Sequence, residues 1–361
     1  MSKPASEHSE FAHSPTQDDL EEDEEFTFSL FVMGNIFALC FLVLAGAWSS
    51  TVPSSAIPFI AQRFPNEAGQ AAWIAAAPSV MGAILQAIIG DLSDIFGRRA
   101  FLQAGCVVGT VGMIIGGRAT SIKMLIGGQV LNGLGNASMF LASALAQEIV
   151  PKRQRPLLLA AITTVTSVSY ICGPILEGVC IKQKVGGILE GWRIGFYIGA
   201  ALWAITLAFI TTLYHPMPRP NPEGLSIMQL LRKVDWLGIA FCSTGVTLFL
   251  VGLNYGGNPY SWDSAVVLGT LIPGLVVSLC FVLWEWKGTK TGLMHHDLFV
   301  DRNYVLTVYV RVVGGIALLG GQAYLPQVAA SVFETDGLTT AVWQLPMTVS
   351  SMIGSVIAAF F

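Results

Sequence analysis

Charge is what this sequence has least of. Asp, Glu, Lys and Arg make up 12% of its 361 residues, against roughly 25% in soluble domains. A chain that is 53% hydrophobic and this short of charge cannot clothe soluble domains in a hydrated surface, so its length is not divided into them. Cysteine is scarce as well. Cys40, Cys106, Cys172, Cys180, Cys242 and Cys280 lie scattered through or beside apolar runs, with no CxxC. That spacing does not support a disulfide framework and reads as small hydrophobes in packing. No cluster of His, Cys and acids resembles a catalytic set, so the chain reads as a non-enzyme with no metal and no bound cofactor. His295-His296-Asp297 falls in a loop and is not read as a metal site. No basic segment precedes the first apolar run, which argues against a cleaved signal peptide.

Long apolar runs are plentiful instead. A bilayer span needs about 20 apolar residues. Ten runs qualify, near 29–51, 70–90, 100–118, 123–146, 157–180, 194–214, 236–254, 264–284, 303–325 and 338–361. Lipid leaves every backbone polar group to be satisfied inside its own segment, so each run is expected to be a helix. Outer-membrane strands would be about ten residues long and alternating. The 38 glycines suit close helix–helix approach. The expected fold class is an all-α polytopic membrane protein of about ten transmembrane helices.

The net charge of −4 hides a split. Residues 1–29 hold nine acids and one base, Lys3, and the remainder carries +4. The acidic stretch reads as a disordered, solvated tail. Placing the N-terminus in the cytoplasm puts twelve lysines and arginines in cytoplasmic segments and six in outer loops, the asymmetry that orients membrane proteins. Arg311 is left inside a span. Burying a cation there costs about 2.5–3.5 kcal/mol, so Arg311 is expected to face the protein interior or a wet cavity.

The segment GDLSDIFGRR, Gly90 to Arg99, then reads as a cytoplasmic turn between the second and third helices. Asp94 can brace it through charge-assisted hydrogen bonds with the arginines. The spacing of Gly90, Asp94, Gly97, Arg98 and Arg99 resembles the cytoplasmic signature of the major facilitator superfamily, a gating element in that family. In the fourth run, GGQVLNGLGNAS resembles a further family pattern, with Gln129 where an arginine is usual and Asn132 for a glutamine. Both are candidates to face a cavity, or else to bond between helices. In the fifth run, SVSYICGPILEG resembles the antiporter signature through Gly173, Pro174 and Gly178, which implies export. Glu177 lies in this stretch, and an acid inside a span is a functional candidate by default. Glu177 and Arg311 are the ionisable candidates for substrate binding or coupling. Ser49 stands where many fourteen-helix antiporters carry an acid.

EIVPKRQRP, GWRIGFYIGA, DWLGIAFCSTGVTLFLVGLNYGG, YSWDSA and VLWEW resemble the fungal trichothecene efflux pump family of the fourteen-helix drug:proton antiporter branch, over roughly residues 30–361. The resemblance implies a major facilitator fold that is incomplete. Residues 1–29 are then the acidic tail, 30–214 a first six-helix bundle, 215–235 a cytoplasmic linker, 236–285 an additional central helix pair, and 286–361 the start of a second bundle, truncated at Phe361. It also implies proton-coupled efflux of small amphipathic molecules such as toxins or drugs, driven by a proton gradient. An importer or facilitator of iron chelates or sugars stays open. So does a fragment that needs a second chain to supply the missing half. The expected partners are the lipid bilayer and a small-molecule substrate, with no nucleic acid, at the plasma membrane rather than the vacuole.

Overall fold

The computed structural model describes residues 29–86, 88–216, 227–257, 260–288, 302–332 and 337–358. These are helical almost throughout, with one isolated bridge between Gly256 and Tyr260. In chain order the helices are α1 (Leu30–Arg63), α2 (Trp73–Gln86), α3 (Ile89–Phe96), α4 (Arg98–Gly117), α5 (Ile122–Ile149), α6 (Arg155–Lys182), α7 (Arg193–Thr212), α8 (Ile227–Lys233), α9 (Trp236–Tyr255), α10 (Ala265–Leu283), α11 (Arg302–Val332), α12 (Gly337–Val342) and α13 (Leu345–Ala358). Seven helical segments among the described residues are long and apolar enough to cross a membrane: α1, α2 with its preceding 3-10 turn, α4, α6, α7, α9 and α10. Helix α5 is long enough too, but carries Gln129, Asn132 and Asn136 along its middle.

Three boundaries differ from those expected of the sequence. The first run continues to Arg63 through Pro53 and Pro58 instead of ending near residue 51. A proline removes the N–H that would bond the carbonyl four residues back. For Pro53 that carbonyl is Ser49, and Asn132 Nδ2 of α5 donates to it at 2.9 Å. A neighbouring helix thus supplies the missing donor, which is how membrane helices tolerate proline. The second difference is at GDLSDIFGRR. Most of it is helix α3, and the reversal is confined to Gly97, whose φ of +89° favours glycine. The last run, expected as one span, is α12 and α13 parted by a turn at Trp343–Gln344. Pro346 has no N–H to bond the carbonyl four residues back, that of Val342 at the end of α12, and suits the first turn of α13.

Helices α1, α2 and α4–α7 pack as one bundle. Helix α1 runs through it against α5, α6 and α7, while α4 packs between α5 and α7 and α2 lies on α5. Leu39, Leu42, Met113, Leu125, Phe196 and Trp203 fill the interior. Helices α9 and α10 form a close pair that reaches the bundle through α2, where Trp73 meets Tyr255 edge-on at 5.3 Å. Helix α11 lies along α1, and α12 and α13 lie on α6.

Candidate functional site

Three of the polar places in this apolar bundle hold residues that the sequence singles out. The first surrounds Gly97. Arg98 and Arg99 are the first residues of α4. Arg98 Nε donates to Asp94 Oδ1 at 3.3 Å, and the same guanidinium forks onto Glu148 of α5, with Nη2 to Oε1 at 2.9 Å and Nη1 to Oε2. Arg99 Nη2 donates to the Thr211 carbonyl at the end of α7, and Gln103 Nε2 to the Thr211 hydroxyl at 3.1 Å. Tyr214 is buried beside them. Burial pushes its phenol up to about 12, with Arg98 pulling it down and Glu148 up. Arg98 and Arg99 therefore tie α3, α4, α5 and α7 together at one end. Gly90 lies in α3 with open space around it.

The second place is the contact of α1 with α5. Gln129 and Asn132 are both 0% exposed, and Asn132 Nδ2 also donates to Gln129 Oε1 at 3.1 Å. One turn on, Asn136 accepts from Ser49 Oγ at 3.1 Å and donates to Ser50 Oγ at 2.9 Å. Gln129 Nε2 and Asn132 Oδ1 have no partner among the described residues. The structure thus sets these amides between helices, and Ser49 with them.

The third place is Glu177. Its side chain projects from α6 toward α1 and is 1% exposed. Ser55 Oγ donates to Oε2 at 2.7 Å. Oε1 has no hydrogen-bond partner among the described residues. A small cavity lies beside it, walled by Ser55, Phe59, Pro174, Gly178 and, from α12, Ala341. Close packing makes the site possible. A Cβ on Gly173 would stand 2.9 Å from Val52, and one on Gly195 of α7 would crowd Val52 and Glu177 Oε1. Trp48 Nε1 holds the Gly195 carbonyl at 3.0 Å.

Arg311 departs from expectation. It is exposed on α11 rather than turned inward. Helix α11 packs along α1 and leaves most of its surface uncovered, so nothing in the described residues walls a cavity around that side chain. The acidic tail and His295-His296-Asp297 lie outside the described residues. Sequence reasoning missed Glu148 and Ser55 as partners. Glu148 opens the quoted segment EIVPKRQRP, so a signal existed. Ser55 sits in a serine-rich stretch whose register against α6 was not readable.

The Major Facilitator Superfamily family model matches residues 37–296. The MFS-type transporter pigP of Monascus ruber is 26% identical over 329 residues, which cover 91% of this chain and 56% of that protein. The efflux pump dotC of Dothistroma septosporum (strain NZE10 / CBS 128990) is 26% identical over 327 residues, 90% of this chain and 54% of that protein. An uncharacterized MFS-type transporter of Mycobacterium tuberculosis is 27% identical over 319 residues, 88% and 44% respectively. The chain spans about half the length of the curated relatives it matches.

Proposed function

The chain belongs to the major facilitator superfamily and is a multi-pass membrane protein, and from that premise we propose that it is a transporter serving export of small amphipathic molecules in exchange for protons. The observation that carries the reading is α6. Its Gly173-Pro174 element, the export signature of the sequence, packs against α1 on one side, while α12 and α13 pack on the same helix. Transporters of this kind bind substrate between two halves and rock one against the other. A helix that meets both halves and carries a buried acid suits exchange across that seam. The relative named as an efflux pump supports the same direction. The Gly97 cluster is proposed as the gate at the cytoplasmic end, with the N-terminus on that side.

A second reading, a facilitator without proton coupling, is favoured by Ser49. This residue occupies the position of the usual acid and is bound to Asn136 in a fully buried contact. Proteoliposomes holding the 361-residue chain and loaded with an amphipathic dye separate the two. Export predicts dye release that accelerates with an imposed pH gradient and collapses with a protonophore. Release at one rate with or without the gradient would sink proton exchange in favour of the facilitator. No release at all would move the activity to an assembly with further helices.

A further inference from the structure

The Ser55 hydroxyl has one hydrogen and two acceptors. It lies 2.7 Å from Glu177 Oε2 and 2.9 Å from the Val52 carbonyl of its own helix. A hydroxyl can donate to only one of them at a time. An ionised Glu177 accepts only, and so claims that hydrogen. A protonated Glu177 brings a hydrogen of its own and releases Ser55 to turn to Val52. Ser55 also lies between Pro53 and Pro58, where α1 lacks two backbone donors and is held less firmly by its own ladder.

We infer that Glu177 is a proton-binding site of the transporter and that Ser55 passes its charge state to α1 by switching between the Glu177 carboxylate and the Val52 carbonyl. The inference rests on the export reading and deepens it by naming the group that carries the proton. The cavity supplies the route. Oε1 is the unpartnered oxygen, and the cavity beside it is closed on one side by Ala341 of α12. Moving α12 off α6 would let water reach Oε1. A hydronium then gives up its proton, an O–H bond forms on Oε1 and a water molecule leaves; a half-turn of the carboxyl presents that O–H to Ser55 Oγ, which accepts it while donating to the Val52 carbonyl. The reverse step returns the proton to water.

The donor set fits a proton and not a metal. A hard cation takes six or more oxygen ligands, and here one hydroxyl stands beside the carboxylate. The charged neighbours are accounted for. From α6 itself, Cys180, one turn on, is the neighbouring titratable side chain. On α7, Arg193 lies near in sequence but its guanidinium bonds Glu190 and the Gly117 carbonyl. Helix α1 presents Ser55 and Val52, and α12 presents Ala341. Among the described residues no lysine or arginine pairs with Glu177.

Infrared difference spectroscopy of the full 361-residue chain in lipid nanodiscs tests this. The sample is titrated between about pH 5 and about pH 9, a range that covers documented buried carboxyls, and the C=O stretch of protonated carboxyl groups is read. A band that grows as pH falls is expected. It should be lost in Glu177→Gln and displaced in Ser55→Ala, where the hydrogen-bond partner is gone. Glu177→Asp keeps a carboxyl and should keep a titrating band, which separates loss of the site from loss of the fold. A spectrum unchanged in Glu177→Gln overturns the site, and a band in Ser55→Ala identical to the parent overturns the switch. Dye release that ignores the pH gradient while the band still titrates defeats the export reading and leaves the proton site standing. Gradient-driven release that persists in Glu177→Gln does the opposite.

Discussion

The bundle of α1, α2 and α4–α7 and the α9–α10 pair are both zipped by glycine, yet of the two only the bundle encloses polar side chains. In the bundle, a Cβ on Gly135 of α5 would stand 2.8 Å from Gly109 Cα and 2.9 Å from the Gly105 carbonyl of α4. In the pair, a Cβ on Gly252 would stand 2.8–2.9 Å from Leu271. The contact chemistry is the same. Around it, the bundle buries Gln129, Asn132, Asn136 and Glu177, whereas α10 buries only Val267 and Gly274 and leaves Leu275, Leu279 and Leu283 about half exposed. In lipid, close backbones suffice to associate two helices. Polar groups add little to that and are costly if unpaired, so their concentration in one region marks where function is placed.

The sharpest way to break the comparison is to unzip each region alone. Gly135→Leu drives a side chain into the α4 backbone, where no rotamer relieves it, and should cost about 3 kcal/mol or more. Gly252→Leu should part α9 from α10 and leave the bundle intact. The thiol of Cys106, 0% exposed in α4, reports the difference. Its alkylation by a thiol dye should become fast in Gly135→Leu and stay slow in Gly252→Leu. Equal protection in both would show that the bundle does not depend on its glycine seam.

The next effect is at high pH. Tyr214 ionises near 12 in the fold because it is buried, but near 10 in an unfolded chain. Its folded value is raised, so above about pH 10 the unfolded state loses its proton first and stability falls until about pH 12. Two units correspond to about 2–3 kcal/mol. Tyr214→Phe should flatten that part of the loss in thermal melts taken from neutral pH to pH 12, and an unchanged slope would mean Tyr214 is hydrated. The α9–α10 pair has no counterpart to this buried phenol at its own end, where Trp284 Nε1 donates to Asp235 Oδ2 at 2.9 Å.

A third effect isolates the polar interior. Asn132→Leu leaves the Ser49 carbonyl without its donor and should cost about 1–2 kcal/mol. Pro53→Ala restores a backbone N–H for that carbonyl. In the Pro53→Ala background Asn132→Leu should therefore cost much less, measured as a double-mutant cycle in thermal stability. Additive losses would mean that Asn132 does not compensate for the proline.

Much of this was legible in sequence. Apolar length gave the helices of the bundle, because lipid allows no other backbone form. The spacing from Gly90 to Arg99 located the ion cluster, because its partners on α4 are local. What was not legible depends on register between distant helices. Helix α1 passes Pro53 because Asn132, 79 positions away, reaches back to it. Arg98 pairs with Glu148 across 50 positions. Seven of the eight residues of α3 hid inside a motif whose glycines and charges read as a turn. Arg311 was judged by its depth in a span, and depth does not say which face of α11 is covered.

The smallest effect concerns the other end of the bundle, where Glu190 joins α1 to α7. It accepts from Arg63 Nε at 2.7 Å and from Arg193, whose guanidinium also holds the Gly117 carbonyl at 2.7 Å. Burial works against the carboxylate, but the hydrogen bonds from Arg193 and Arg63 outweigh it and hold the carboxyl below its usual range. A depressed carboxyl stabilises the fold above the unfolded value of about 4.3 and loses that stabilisation as pH falls through the folded value. The group is partly exposed, at 22%, and Arg63 more so, at 42%, so solvent screens the pairs. Glu190→Gln should cost under about 1 kcal/mol at neutral pH. The gap between parent and variant should shrink with added salt and close as the pH drops below about 4. A gap that persists in acid would mean that Glu190 holds this end through packing, leaving the Gly97 end as the one pinned by charge.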